Sequence, residues 1–145
     1  MAKLVLDNEL LAEAYFEEAC LFGIMAPIPD YQFCGLLQEQ MGFSFFLDPA
    51  SEIILKKKER NYYFSVFKYL EPNSSVEHYL YNNKWDGGLL LPEFKHLDFI
   101  WLIHGLDACG LQVGQLMQAI KNIGGVQLIT ELTNQKIKSR QNLIL

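Results

Sequence analysis

Two spacings of apolar residues recur along the chain, and each spacing predicts a different kind of element. Residues 30–41 repeat apolar side chains at the interval of a helix, start with an aspartate suited to capping and are followed by a glycine. Residues 111–123 show the same interval and end at a glycine pair. Residues 8–16 fit either a short helix or the start of a strand. The pattern therefore predicts two helices with defined ends.

Shorter apolar segments between turn residues predict strands. Residues 97–103 form an almost unbroken apolar run, which is typical of a central strand covered on both faces. The predicted strands cover residues 19–25, 43–47, 52–55, 62–70, 76–81, 97–103 and 126–132. We expect an α+β fold of residues 1–145 as a single domain, with one mostly antiparallel sheet of six to seven strands and two helices packed on one face.

Composition supports a folded chain without stabilising cross-links. The 145 residues are 50% hydrophobic and 13% aromatic, which is the opposite of a disordered composition. Cys20, Cys34 and Cys109 are odd in number and widely spaced, as expected of thiols in a reducing compartment. No apolar run reaches the length of about 18 residues that a membrane helix needs. These features predict a cytoplasmic protein with no membrane partner.

The segment LPEFKHLDF, residues 91–99, is the most distinctive stretch of the chain. Pro92 suits the first position of a helical turn, and Glu93 then lies in the first turn, where free amides favour a carboxylate. Asp98 borders the central strand, so we expect it to accept hydrogen bonds from backbone amides or from Lys or Arg. The segment is predicted to fix the register of that strand. The alternative is that Glu93 and Asp98 share a pocket and perform acid–base or metal chemistry.

The same segment resembles the IPExxxVDY signature of a family of small uncharacterised bacterial proteins. Pro92, Glu93 and Asp98 match its fixed letters, whereas Phe99 stands where the signature has tyrosine and therefore lacks the phenol. The resemblance extends to the DYQFC, YYFSVFKY and KSRQNLIL segments and so to most of the chain. It implies no activity, cofactor or ligand.

Tyrosines are concentrated in the hairpin predicted around residues 62–81. If Leu70 pairs with Val76, the core face carries Phe64, Val66 and Leu80. The opposite face then forms a candidate interaction surface, because tyrosine combines an apolar ring with a polar tip. This surface consists of Tyr63, Phe67, Tyr69, Tyr79 and Tyr81. A register shift of one residue would exchange the two faces.

A basic turn lies beside these aromatic residues. Lysines and an arginine next to aromatic strands can bind single-stranded nucleic acid. The net charge of −5 and the lack of an RNA-binding motif argue against that function, and a solvated turn that discourages edge pairing is the simpler interpretation. The basic residues are Lys56, Lys57, Lys58 and Arg60.

Catalytic and metal-binding signatures are absent from the sequence. His104, Asp107 and Cys109 have the side chains of zinc ligands, but no second cluster completes a four-ligand site. We therefore predict neither metal nor cofactor. The leading hypothesis is a non-enzymatic domain that associates with itself or with another protein, through the tyrosine face or a sheet edge. The alternatives are a small enzyme or ligand-binding protein using Glu93 and Asp98, and a weak nucleic-acid binder using the basic turn.

Overall fold

A computed structural model of the chain describes residues 14–105, 113–133 and 137–143. Its main feature is a six-stranded sheet with the order β10-β1-β9-β6-β5-β2, in which every pairing is antiparallel. Two separate hairpins pair β3 with β4 and β7 with β8. The strands are β1 (Ala19–Met25), β2 (Phe46–Leu47), β3 (Ile53–Lys57), β4 (Arg60–Phe64), β5 (Val66–Leu70), β6 (Glu77–Asn82), β7 (Lys84–Trp85), β8 (Gly88–Leu89), β9 (Phe99–His104) and β10 (Leu128–Glu131).

Two helices pack on one face of this sheet, as predicted. They are α1 (Asp30–Met41) and α2 (Val113–Lys121). Their apolar residues meet a layer of sheet side chains, since Phe33, Leu37 and Ile120 share one buried cluster with Phe22 and Trp101. This arrangement confirms the α+β fold with one main sheet.

The ends of α1 follow from its flanking residues. Pro29 occupies the N-cap position with no side-chain cap, and Asp30 is the first helical residue rather than the cap that the sequence predicted. Gly42 ends the helix at φ 71°, a left-handed conformation that glycine adopts without steric cost. Its amide and that of Phe43 bond the carbonyls of Gln38 and Leu37.

The opposite face of the sheet is covered by segments that are distant in sequence. The β3–β4 hairpin contributes Ile53 and Phe64, and Leu143 approaches from the C-terminal region. Leu91 and Leu97 of the LPEFKHLDF segment complete the same cluster. β9 therefore has apolar layers on both of its faces, which explains its unbroken apolar run.

The predicted strand over residues 62–70 is two strands. β4 belongs to the hairpin and β5 to the main sheet, and the chain passes from one to the other at Ser65. The carbonyl of Ser65 still accepts a hydrogen bond from the amide of Asn82 (3.1 Å). The strand predicted over residues 43–47 is also shorter, because Phe43 and Phe45 turn their rings toward Trp101 instead of continuing β2.

The register of β5 and β6 differs by one residue from the predicted one. Leu70 pairs with Glu77, not with Val76. The amide of Glu71 donates a hydrogen bond to the carbonyl of Val76 (3.3 Å), so Val76 lies opposite Glu71 rather than opposite Leu70. Within the loop, Asn73 has a positive φ of 58°. Because side chains alternate between the two faces of a sheet, this shift of one residue places every β6 side chain on the opposite face, relative to β5, from the one predicted.

Candidate functional site

The LPEFKHLDF segment forms a closed loop between β8 and β9. Pro92 begins a 3-10 turn, Pro92–Phe94, and Glu93 lies in its first turn, as predicted. Leu91 and Leu97 are completely buried under the loop. Their burial anchors both ends of the loop to the core, so Glu93 and Asp98 occupy fixed positions.

Asp98 joins three parts of the chain at the start of β9. Its carboxylate accepts hydrogen bonds from the amide of Ala26 (2.8 Å) and from Nζ of Lys84 (3.0 Å). Its own amide donates to the carbonyl of Ile24 (2.8 Å). These bonds confirm the predicted backbone and lysine partners, and they fix the end of β1 against the start of β9.

Glu93 bonds a different segment, near the C-terminal end of the described chain. Its carboxylate accepts hydrogen bonds from Oγ (2.6 Å) and the amide (3.0 Å) of Ser139. Partial burial raises the pKa of Glu93, but the hydrogen bonds from Ser139 outweigh that effect, and the net pKa lies below its ordinary value of 4.5. Glu93 therefore stays ionised and ties the segment around residue 139 to the loop.

Asn83 is the central residue of this region, and no local sequence pattern marked it. Its side chain is fully buried. Nδ2 donates to the carbonyls of Phe94 (2.9 Å) and Leu97 (2.8 Å), and Oδ1 accepts from the amide of Leu91 (2.8 Å). One side chain therefore provides hydrogen-bond partners for three backbone groups of the loop. Buried backbone groups need such partners because they cannot bond to water.

The two carboxylates of the motif do not form a pair. Asp98 borders a shallow cavity of about 180 Å³ together with Ile28, Asp30, Asn82, Lys84 and Phe99, and Glu93 is not part of its lining. Nδ2 of Asn82 donates to Asp30 in this cavity (2.8 Å). Since Glu93 and Asp98 bond separate partners, they lack the convergence that shared acid–base chemistry needs.

The predicted tyrosine surface is wrong, because the register slip divides its members. Tyr79 and Tyr81 are buried on the face that the β3–β4 hairpin covers, whereas Phe67 is buried on the helix face. Tyr69 lies on the helix side and stacks on Phe43 (4.9 Å between centroids). Tyr63 belongs to the separate hairpin. The five side chains therefore share no common face.

The buried phenols are hydrogen-bond donors rather than reactive groups. The hydroxyl of Tyr81 donates to the carbonyl of Leu143 (2.7 Å), and that of Tyr79 donates to Glu77. Burial and the charge of Glu77 raise the pKa of Tyr15 to about 12. Burial also raises the pKa values of Tyr79 and Tyr81. These phenols remain protonated at neutral pH.

His78 is the one buried histidine among the described residues. Nε1 of Trp101 donates to its Nδ1 (3.1 Å), so Nε2 carries the proton and donates to Glu71 (2.9 Å). Burial lowers the pKa of His78 below 6.5 although Glu71 opposes the shift. The imidazole is therefore neutral and satisfies the indole of the largest core residue.

Several large apolar side chains are exposed, among them Leu128 of β10 at the other edge of the sheet and the two groups described next. At the sheet edge, Phe46 and Leu47 of β2 are 50% and 52% exposed, and Leu70 on the adjacent β5 is 49% exposed. On the β3–β4 hairpin, Ile54 pairs with Tyr63 on the outer side, and Ile54 is 51% exposed. The first of these two groups is called the β2 edge below.

An aromatic and basic surface lies beside that hairpin. Trp85 of β7 meets the edge of Tyr63 (5.3 Å between centroids) and of Tyr62 (6.2 Å). The Arg60 guanidinium lies over Tyr62 (4.8 Å) and over Trp85 (5.7 Å), and it forms an ion pair with Asp86. Arg60 and Tyr63 of this surface were among the predicted residues, whereas Trp85 was not, since a tryptophan in a glycine-containing turn has no local pattern to mark it.

Metal-binding and membrane-spanning features are not found in the described part of the chain. Across residues 14–105, 113–133 and 137–143, no group of three or more His, Cys, Asp or Glu side chains is placed to hold a metal ion. His104 stacks on Tyr15 (4.3 Å), and Asp107 and Cys109 lie outside the described residues. Within the same ranges, no helix has the length and apolar character needed to cross a bilayer.

Comparison with known proteins finds no match: no protein-family model matches the chain, and no curated protein matches it significantly.

Proposed function

We propose that the protein is a non-enzymatic interaction domain that self-associates through the β2 edge. The observation that carries this proposal is the half-exposed set of Phe46, Leu47 and Leu70 at an open end of the sheet. A sheet edge offers unpaired backbone groups, and proteins usually protect it with charges or cover it. The edge strand β2 is only two residues long, but its apolar side chains are exposed, which favours an interface.

The pairing of β2 with β5 supports a symmetric contact. Phe46 lies opposite Lys68, so Leu70 is its diagonal neighbour on the same face of the sheet. Two copies related by a two-fold axis would place each β2 edge against the other, in a closed dimer. Burying the exposed half of Phe46 and of Leu47 is worth about 1 kcal/mol for each side chain.

The experiment measures molar mass by light scattering during size-exclusion chromatography over a range of concentrations. The expected wild-type result is a dimer that dissociates on dilution. Phe46→Glu is expected to shift the equilibrium to the monomer, because it places two charges against each other at the two-fold axis. Ile54→Glu is the matched control, since Ile54 is exposed to the same extent on the hairpin. A monomer at every wild-type concentration would refute the proposal.

The LPEFKHLDF segment has a structural role in this proposal. We infer that Pro92, Glu93 and Asp98 position the loop and the start of β9, and we propose membership of the IPExxxVDY family on the strength of these three residues. A cytoplasmic location is also proposed. It is supported by the odd number and wide spacing of the cysteines, of which Cys34 is a buried thiol.

A further inference from the structure

We propose that the β3–β4 hairpin and Trp85 form a binding site for single-stranded nucleic acid. The site combines an aromatic part, Tyr63 and Trp85, with a basic part at the hairpin turn. It is separate from the β2 edge and does not depend on self-association. The basic residues are Lys56, Lys57, Lys58 and Arg60.

The aromatic part offers ring surface to a ligand. Trp85 is 37% exposed although it contacts two tyrosines and the Arg60 guanidinium lies over its ring, so these contacts hold the indole in place without burying it. The contacts with Tyr62 and Tyr63 are edge-to-face, with interplanar angles of 87° and 77°. An indole fixed in this way is a preformed platform on which a base can stack.

The basic part supplies the charge that phosphates require. Lys56 and Lys57 end β3 and are exposed, and Lys58 and Arg60 continue the exposed turn. Arg60 is partly neutralised by Asp86, and Glu59 is the one acid among residues 56–60. The turn is therefore locally positive although the whole chain carries −5.

The geometry favours nucleic acid over an acidic peptide. Arg60 lies over Trp85 at 5.7 Å, so cation and exposed ring are immediate neighbours. A nucleotide presents both a phosphate and a flat base and would use both features. An acidic peptide would use only the cations. On the outer side of the hairpin, the pair of Lys56 and Asn61 is exposed next to the pair of Ile54 and Tyr63, whereas Lys57 and Arg60 lie on the same side as Tyr62.

The fluorescence of Trp85 provides a direct measurement. The chain has two tryptophans, and Trp101 is fully buried. Quenching on titration with a ten-residue oligothymidylate would therefore report stacking on Trp85. We expect quenching at low salt, and weaker binding as salt rises, with a slope of log K against log salt of about −0.7 for each phosphate contact.

Two kinds of variant separate stacking from charge. Trp85→Leu is expected to weaken binding about tenfold, measured by anisotropy of a labelled oligothymidylate, whereas Trp85→Phe retains most of it. Lys56→Gln with Lys57→Gln is expected to reduce the salt slope by about 1.4. The matched control is Lys95→Gln with Lys121→Gln, which removes the same charge from exposed positions outside the hairpin. Circular dichroism establishes that each variant is folded.

Three results would overturn the proposal. The first is no quenching and no anisotropy change with oligothymidylate at low salt. The second is binding that the hairpin variants and the Lys95 and Lys121 control reduce equally. The third is polyglutamate binding as tightly as oligothymidylate with no effect of Trp85→Leu, which would make the surface a general anion site.

Discussion

Replacing Asn83 with alanine tests whether one side chain holds the LPEFKHLDF loop. The change removes three hydrogen bonds, to the carbonyls of Phe94 and Leu97 and from the amide of Leu91. The bonds to Leu91 and Leu97 are buried, and an orphaned buried group costs about 1–3 kcal/mol. We therefore expect a loss of about 3–5 kcal/mol, a large part of the roughly 5–15 kcal/mol typical of a domain.

Urea unfolding followed by the fluorescence of buried Trp101 measures this loss. Asn142→Ala is the matched control, because Asn142 makes one partly buried hydrogen bond, from Nδ2 to the carbonyl of Leu90 (3.0 Å). The control is expected to lose about 1 kcal/mol. Expressed as thermal stability, the Asn83 variant should unfold about 10 °C below the wild type.

Equal losses in the two variants would refute the reasoning. The loop would then be held by the burial of Leu91 and Leu97 alone, and the three hydrogen bonds of Asn83 would contribute no more than the single bond of Asn142. An Asn83→Ala chain that fails to fold, beside a folded Asn142→Ala chain, agrees with the prediction.

Two further predictions concern the core. A Cβ at Gly23 would overlap Cδ1 of Leu97, so Gly23→Ala should lower the free energy of unfolding by about 1–3 kcal/mol. In urea unfolding, the double variant with Leu97→Ala should lose less stability than the sum of the two single variants. Simple additivity would contradict this contact. Because the pKa of His78 is lowered in the folded state, the unfolded chain takes up the proton first, and stability should fall as pH drops below 6.5. His78→Gln should flatten this dependence between pH 7 and 5, and an unchanged dependence would contradict the assignment.

The elements that could be predicted are those whose sequence signals all lie within one short stretch of the chain. α1 was predictable because its apolar spacing and Gly42 lie within thirteen consecutive residues, and β9 because an unbroken apolar run needs cover on both faces. The partners of Asp98 were predictable in kind, since a carboxylate at the start of a buried strand must be satisfied. Its particular donors, Ala26 and Lys84, were not, because the fold brings them from other segments.

The wrong predictions arose where a shift of one residue in strand pairing decided which side chains are buried. The loop between β5 and β6 closes through Glu71 and Val76, and nothing in its sequence distinguishes that closure from the predicted pairing of Leu70 with Val76. With period-two strands, this single step moved Tyr79 and Tyr81 into the core. Asn83 was missed for a related reason. Its role depends on hydrogen bonds to the carbonyls of Phe94 and Leu97, which only the folded loop brings within reach.

β1 is synthesised well before the strands that flank it in the folded sheet. β1 pairs on both sides with strands made much later, since Ile24 lies opposite Phe99 and Ile129. Translation at roughly 5–20 residues per second separates Ile24 from Phe99 by about 4–15 s. During that interval neither of the strands that flank β1 in the folded sheet has been synthesised. We therefore expect the nascent chain to engage a holding chaperone at this segment before β9 emerges.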